Sequence, residues 1–198
     1  MAELRGQALR GVERRAAVLD AAIAVFAERG YRAGALADIS DKIGLSPAGI
    51  LYHFGSKEDL LLAVIAERDR RAGEILASDP PLKGLAALRA AVRFAEHSEA
   101  GRGLVALHTV LQAEGLEPGS VTHRYFIERA RVVRALIEEV LRDAQHLGEI
   151  RADVDIEAKA AEVLAFLEGA ATLWLLDPEV SLVDLYRTYF EDLITALS

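Results

Sequence analysis

Apolar residues recur every three or four positions along most of the chain, and this spacing predicts α-helices with no convincing strand. Residues 1 to about 12 are predicted to form a frayed arm. The first amphipathic helix then runs from Glu13 to Arg29 and ends at Gly30. Eight further helices are predicted to begin near Leu36, Pro47, Ser56, Leu82, Leu104, Val121, Asp155 and Ser181. The expected fold is therefore all-α, with about nine helices.

Residues 36–57 carry the start and stop signals of two short helices joined by a tight turn. Gly44 follows the last apolar residue of the first helix, where a left-handed backbone ends a helix at little cost. Ser46 and Pro47 are an N-cap and a first-turn proline for the second helix. Ser56 can cap a third helix, with an acidic residue three positions later. This order is typical of a helix-turn-helix, whose second helix enters the DNA major groove.

The second helix of this motif offers few side chains that can read bases. The alternative to a DNA-binding motif is a pair of core helices joined by a turn. Pro47 and Ala48 can pack on a thymine methyl, and Ser46 can hydrogen-bond to a base. Lys57, at a helix N-terminus, favours a phosphate. Part of the specificity is therefore expected from DNA shape. The predicted DNA contacts are Arg32, Lys42, Ser46, Pro47, Ala48, Gly49, Tyr52, His53 and Lys57.

Composition narrows the range of functions. The 198 residues carry a net charge of −8, but up to Leu60 eight cations balance eight anions, so the acidic excess lies in the remainder. DNA binding needs a local basic face rather than a basic protein. There is no cysteine, and the five histidines lack metal-ligand spacing, so no metal or cofactor is predicted. With no signal-peptide pattern and no apolar run long enough for a bilayer, we expect a cytoplasmic protein without a membrane partner.

The motif resembles the DNA-binding domain of the tetracycline-repressor (TetR) family of transcriptional regulators. Gly30-Tyr31, L-x-D-I-x-x-x-x-G-L-S and I-L-Y-x-F-x-S-K-x-x-L-L carry the resemblance, which runs from about residue 16 to 62. It implies a three-helix DNA-binding domain at residues 1–58 and a helical ligand-binding and dimerisation domain at 59–198. Asp79-Pro80-Pro81 is expected to break the helix that links them. Ala35 and Gly49 stand where the family usually has threonine, so two phosphate contacts are expected to be missing.

The two C-terminal helices are apolar on more than one side, so each must bury more than one side. A four-helix bundle formed by two helices from each of two subunits meets this need, whereas a large monomeric core is the alternative. A dimer also presents two recognition helices to a palindromic DNA site. The residues predicted at the dimer interface are Leu164, Leu167, Trp174, Leu185, Tyr189 and Leu193.

Isolated polar residues in otherwise apolar helices mark a candidate ligand site. His108 and Gln112 lie four apart on one helix face, as do Tyr125 and Arg129. A mostly apolar cavity with a few polar groups is typical of small-molecule sites. The predicted ligand contacts are His97, His108, Gln112, Tyr125 and Arg129, and the predicted ligand is a small, largely apolar molecule.

The leading hypothesis is a homodimeric transcriptional repressor that a small molecule releases from a palindromic operator. One alternative is a helical interaction protein whose N-terminal motif no longer binds DNA, as Ala35, Gly49 and the neutral N-terminal charge allow. The other is an enzyme on a helical bundle with His108 or His123 as a base, although no nucleophile or metal constellation supports it. The sequence therefore predicts a protein that is not an enzyme.

Overall fold

The computed structural model describes the backbone of residues 2–76 and 81–198, and the side chains of 11–71, 73–74, 81–99 and 101–198. In this part of the chain every regular element is an α-helix, as predicted. The nine helices are α1 (Ala2–Ala33), α2 (Leu36–Ile43), α3 (Pro47–Phe54), α4 (Lys57–Leu76), α5 (Gly84–Ala100), α6 (Arg102–Glu114), α7 (His123–His146), α8 (Ile156–Leu176) and α9 (Leu182–Leu197).

The ends of the short helices follow the predicted local chemistry. Gly44 ends α2 with φ 67° and ψ 21°, in the left-handed region. The Ser46 hydroxyl accepts the backbone N–H of Gly49 at 3.1 Å and so caps α3. At α4 the Ser56 hydroxyl accepts the backbone N–H of Asp59 at 3.0 Å. The predicted helix-turn-helix boundaries are therefore confirmed by their caps.

The first helix is longer than the sequence pattern suggests. It begins at Ala2 rather than Glu13, because the preceding residues are mostly good helix formers that extend an existing helix without a new nucleation cost. The predicted stop at Gly30 is present as a break, with φ 75° and ψ 171°. One further helical turn then continues to Ala33.

Two clusters of buried apolar side chains form the interior. The N-terminal core joins α1, α2, α3 and the first half of α4, and it also includes Leu107 and Leu111 of α6. The C-terminal core joins α5, α7, α8 and α9, and Val105 of α6 packs against it. Helix α6 therefore contacts both cores along different faces, since Leu107 and Val105 lie on opposite sides of its axis.

None of the helices in the two described ranges has the length and apolar character needed to cross a bilayer. Of the predicted break at Asp79-Pro80-Pro81, residues 79 and 80 lie outside the described residues. The division into domains at residue 58 stays a prediction. The buried Leu107 and Leu111 indicate that any N-terminal unit packs directly on α6.

Candidate nucleic-acid interface and ligand cavity

Helix α3 has one buried face and one open face. Ile50 and Phe54 are buried in the N-terminal core, which fixes the helix against α2 and α4. Ser46, Pro47 and Ala48 are exposed at its N-terminal end, and Gly49 and His53 are half-buried. Tyr52 is 88% exposed, and its ring contacts that of His53 edge-on. The surface predicted to face DNA is therefore open.

Two of the three lysine and arginine residues among the predicted DNA contacts are held by contacts within the chain. The Lys57 ammonium donates to the backbone carbonyl of Tyr31 at 2.6 Å and lies 4.5 Å from the centre of the Tyr31 ring. Arg32, although exposed, forms an ion pair with Glu117 in the segment between α6 and α7. Lys42 is exposed on α2. The role of these three residues on DNA stays a prediction.

Arg15 of α1 is a further cation beside α3 that the sequence pattern does not single out. Its guanidinium lies over the ring of Phe54 at 4.8 Å from the ring centre, and the residue is exposed. This contact brings a positive charge to the C-terminal end of α3. Because Arg15 and Phe54 are far apart in the chain, only the packing of α1 on α3 reveals the pair.

A cavity of about 280 Å³ lies between helices α4 to α9, close to the lower end of the range for small-molecule sites, roughly 300–1,000 Å³. Most of its wall is apolar. The apolar lining residues are Ala87, Leu88, Ala91, Phe94, Val105, Val133, Leu136, Ile137, Val140, Val163, Leu164, Leu167, Ala171, Leu182 and Phe190. The same wall carries a few polar side chains: Arg68, Ser98, His108, Arg129, Glu168 and Tyr186.

Four of these polar residues, from four different helices, form one cluster, which we call the polar end of the cavity: Arg68, His108, Arg129 and Glu168. The His108 Nε2 is 2.9 Å from the Glu168 carboxylate. The Arg129 guanidinium lies 3.6 Å from the same carboxylate and 3.8 Å from that of Asp69. Arg68 is buried and donates to Asp69 at 2.8 Å. The two arginines and two carboxylates balance in charge.

Burial and the neighbouring charges set the ionisation of this cluster. Burial lowers the pKa of His108, against the opposing effect of its hydrogen bond to the Glu168 carboxylate, so the neutral imidazole is favoured at pH 7. Burial alone disfavours the charged form of Glu168, but the His108 hydrogen bond and the nearby arginines outweigh it and lower its pKa. Burial, together with a hydrogen bond to Asp69, raises the pKa of Tyr125.

The predicted ligand contacts separate into three groups. His108 and Arg129 line the cavity, whereas Tyr125 lies outside the lining and donates a hydrogen bond to Asp69, which also lies outside it. Gln112 is half-buried outside the lining, and His97 is exposed with its ring nitrogen 2.7 Å from the Arg93 carbonyl. Arg68, Ser98, Glu168 and Tyr186 are the polar lining residues that the sequence analysis missed. Glu168 could have been found from the sequence, because it is the only charged residue in the apolar stretch from Val163 to Leu176.

The residues predicted at a dimer interface lie on different sides of α8 and α9. Trp174 and Leu193 are buried within the protomer, at 6% and 5% exposure, because α8 and α9 pack against α5 and α7. Leu164 and Leu167 line the cavity. Leu185 is half-buried, and so is Tyr189, whose ring stacks on Phe166 at 3.7 Å between centres. The exposed face of α8 instead carries Ala158, Ala161, Ala165, Gly169, Leu173 and Leu176.

Two family profiles match the chain. The family described as bacterial regulatory proteins, tetR family, matches residues 18–64, which run from the middle of α1 through the first turns of α4. The C-terminal family described as BetI-type transcriptional repressor matches residues 121–198, which cover α7 to α9. Together these segments include the predicted DNA-binding motif and the two helices predicted to dimerise.

Known proteins resemble the chain over most of its length. The HTH-type transcriptional repressor AcnR of Corynebacterium jeikeium is 30% identical over 157 residues, 79% of each chain. A TetR transcriptional regulator from Chloroflexus aurantiacus has a TM-score of 0.76 at 28% identity, covering 94% of this chain and 96% of its own. FadR from Bacillus subtilis, solved in complex with stearoyl-CoA, shares the fold, with a TM-score of 0.75 at 18% identity over 92% of this chain and 98% of its own.

Proposed function

Because this chain belongs to the TetR family of bacterial transcriptional regulators, we propose that it acts as a homodimeric repressor that a small apolar ligand releases from a palindromic operator. Members of this family are DNA-binding regulators and not enzymes, which sets the enzyme alternative aside. The observation that carries the proposal is a cavity whose polar end is built partly on α4, the helix that also packs in the N-terminal core.

The open face of α3 is the proposed DNA-reading surface. Ser46, Pro47, Ala48 and Tyr52 are exposed together there, while the opposite face of α3 is buried. Gly49, at the edge of this surface, has no Cβ to hold the backbone away from DNA. Lys42 and Arg15 are the cations we propose beside it. The missing hydroxyls at Ala35 and Gly49 reduce the number of phosphate contacts, so a shallow dependence of affinity on salt is expected.

A dimer through the exposed faces of α8 and α9 is the proposed assembly. Small residues at positions 158, 161, 165 and 169 allow close approach of a second helix. Leu173 and Leu176, at 47% and 78% exposure, add apolar area that a partner would cover. Trp174 and Leu193 are left out of this proposed surface because the protomer itself buries them.

Ligand binding is proposed to act through α4 and α6, which reach both cores. In α4, Leu60, Leu61 and Val64 lie in the N-terminal core, and Arg68 lies one turn further along at the cavity. In α6, Leu107 lies in the N-terminal core while its neighbour His108 lines the cavity. A ligand that moves either helix therefore shifts the position of α3. Such coupling requires different ligand affinities in the DNA-bound and free forms.

Selection of genomic DNA fragments by the purified chain tests the DNA-binding part of the proposal. An enriched palindrome with half-sites one helical turn apart is expected. Enrichment of no palindrome would contradict it. Titration of a ligand into the free protein and into its operator complex tests induction: weaker binding to the complex is expected, and equal affinity would rule induction out.

A further inference from the structure

We propose that the cavity binds an apolar carboxylic acid in its carboxylate form, with the carboxylate on Arg129 and the apolar body along the wall formed by α5, α7, α8 and α9. The inference rests on the proposed function, since it assigns the chemical class of the ligand to the same cavity. It follows from which polar groups of the cavity wall already have a hydrogen-bond partner and which do not.

At the polar end of the cavity, the guanidinium of Arg129 carries hydrogen-bond donors that remain available. Its guanidinium lines the cavity at 20% side-chain exposure, and it makes no hydrogen bond to any residue that the structure describes. Its nearest carboxylates, at 3.6 and 3.8 Å, lie beyond hydrogen-bonding distance. A planar guanidinium fork matches the two oxygens of a carboxylate, and such charge-assisted pairs are the strong class of hydrogen bonds.

The two acidic groups near Arg129, Asp69 and Glu168, already have other hydrogen-bond partners. Asp69 accepts hydrogen bonds from Arg68 and from the Tyr125 hydroxyl. Glu168 is bonded to His108. Neither carboxylate accepts a hydrogen bond from Arg129, so a ligand anion can accept hydrogen bonds from the guanidinium without taking one from a buried acid.

Tyr186 supplies a second available donor. It is 3% exposed and lines the cavity, and within the described ranges its hydroxyl has no hydrogen-bond partner. Burial, and secondarily the charge of Glu168, raises its pKa, so the hydroxyl stays protonated. The Arg129 guanidinium and the Tyr186 hydroxyl are therefore two donors of the cavity wall that have no hydrogen-bond partner in the described ranges. A ligand carboxylate, which only accepts, can take a hydrogen bond from each of them.

The rest of the cavity limits the ligand to one charged group. Beyond the polar end the wall is apolar apart from the Tyr186 hydroxyl and Ser98, whose hydroxyl donates to the Phe94 carbonyl at 2.7 Å. The cavity has two arginines, and Arg68 is committed to Asp69. A head with several phosphates would lack counter-charges, so the free acid is preferred to a nucleotide-bearing thioester.

The test is calorimetric titration of the full chain with four probes that share an eight-carbon chain: octanoate, 1-octanol, octylammonium and octanoyl-CoA. Octanoate is expected to bind about tenfold tighter than 1-octanol or more, because a hydrogen bond to a charged group contributes more than a neutral one. Equal or tighter binding of 1-octanol or octylammonium would overturn the carboxylate assignment. Tighter binding of octanoyl-CoA would overturn the choice of the free acid.

Amino-acid substitutions then test whether the carboxylate of the ligand binds at Arg129. Arg129→Gln is expected to weaken octanoate binding about tenfold or more and to leave 1-octanol binding unchanged, which also shows that the cavity is intact. Arg124→Gln, at an exposed position of the same helix, is the matched control and should change the affinity for neither octanoate nor 1-octanol. If Arg129→Gln does not fold, Tyr186→Phe serves instead, with a smaller selective loss of octanoate affinity. Unchanged octanoate affinity in the variant used would overturn the proposal.

Measurements without DNA separate this inference from the proposed function. Octanoate binding that depends on Arg129 supports the ligand class even if no operator is found. Conversely, an enriched palindrome from which octanoate causes no release would leave DNA binding intact but overturn octanoate as a model inducer. The two failures are therefore distinguishable.

Discussion

At the residue scale, function depends on which side chains already have a hydrogen-bond or ion-pair partner within the chain. Lys57 and Arg32 look equivalent to Lys42 in the sequence, yet each has a partner within the chain. Asp69 and Glu168 are each committed to a neighbour, which leaves Arg129 available. A residue's chemistry therefore has to be judged with its hydrogen bonds, and the following predictions concern single residues of this kind.

Gly30→Ala should destabilise the protein by about 1–3 kcal/mol, because φ 75° with ψ 171° is a conformation that essentially only glycine adopts. A Cβ at this position would also lie 2.5 Å from the Glu114 carboxylate, which accepts the backbone N–H of Tyr31 at 3.1 Å. The measurement is urea unfolding followed by circular dichroism.

Gly103→Ala is the matched control for Gly30→Ala. Gly103 lies within α6, and a Cβ there would meet nothing within 4 Å. Alanine at such a site should raise the free energy of unfolding by about 0.5–1 kcal/mol. If the two substitutions had the same effect, the backbone argument at Gly30 would be wrong.

Glu67→Gln should lower the free energy of unfolding at pH 7 by about 1 kcal/mol, after allowance for solvent screening. Hydrogen bonds from Arg70, and then from Arg71, lower the pKa of Glu67 to about 2, against an ordinary value of 4.5. A depressed folded-state pKa contributes stability above pH 4.5, and this contribution is lost as the pH falls towards 2.

Urea unfolding of Glu67→Gln and the parent chain at pH 7, 5, 4 and 3 measures this loss. The difference between the two should be constant down to about pH 5 and should shrink below it. Glu74→Gln, at an exposed partner of Arg70, is the control and should have a smaller effect. A difference that is independent of pH would contradict the linkage.

At the scale of elements, α6 links the two ends of the molecule. Glu114, at its C-terminal end, accepts the backbone N–H groups of Tyr31 and Arg32 at 3.1 and 3.3 Å. Glu117, just beyond, pairs with the Arg32 side chain. The segment after Gly30 is thus fixed to a helix that also lines the cavity, and one predicted DNA contact is held by it.

Glu117→Gln should increase DNA affinity and make its dependence on salt steeper by about one unit, because it releases Arg32 for a phosphate. The measurement is fluorescence anisotropy of labelled DNA across salt concentrations. Glu128→Gln removes an exposed carboxylate that is paired with Arg131 on α7. It changes the net charge by the same amount as Glu117→Gln and is therefore the control. An equal gain in both variants would mean that net charge, and not Arg32, is responsible.

At the scale of the whole molecule, the small-residue face of α8 is the proposed contact between two copies. Ala165→Glu should give a monomer by sedimentation and lose operator binding, because a charge placed at a close helix contact lacks room and a counter-charge. Ala135→Glu, on the exposed side of α7, should stay dimeric. A monomeric parent chain, or a dimeric Ala165→Glu variant, would contradict this interface.

The sequence by itself determined the number of helices, most of their ends and the family. Caps such as Ser46 and Ser56, the stop at Gly44 and the apolar period are interactions within a few residues, so they can be read locally. It also identified His108 and Arg129 as polar residues in an apolar setting, and both line the cavity.

Only the tertiary structure decided which helix faces pack against each other. The polar end of the cavity joins side chains from α4, α6, α7 and α8, and no spacing in the sequence encodes that meeting. For the same reason Trp174 is buried within the protomer, and Lys57 is held at Tyr31. A helix that is apolar on several sides has several ways to pack, and the choice among them depends on all its neighbours at once.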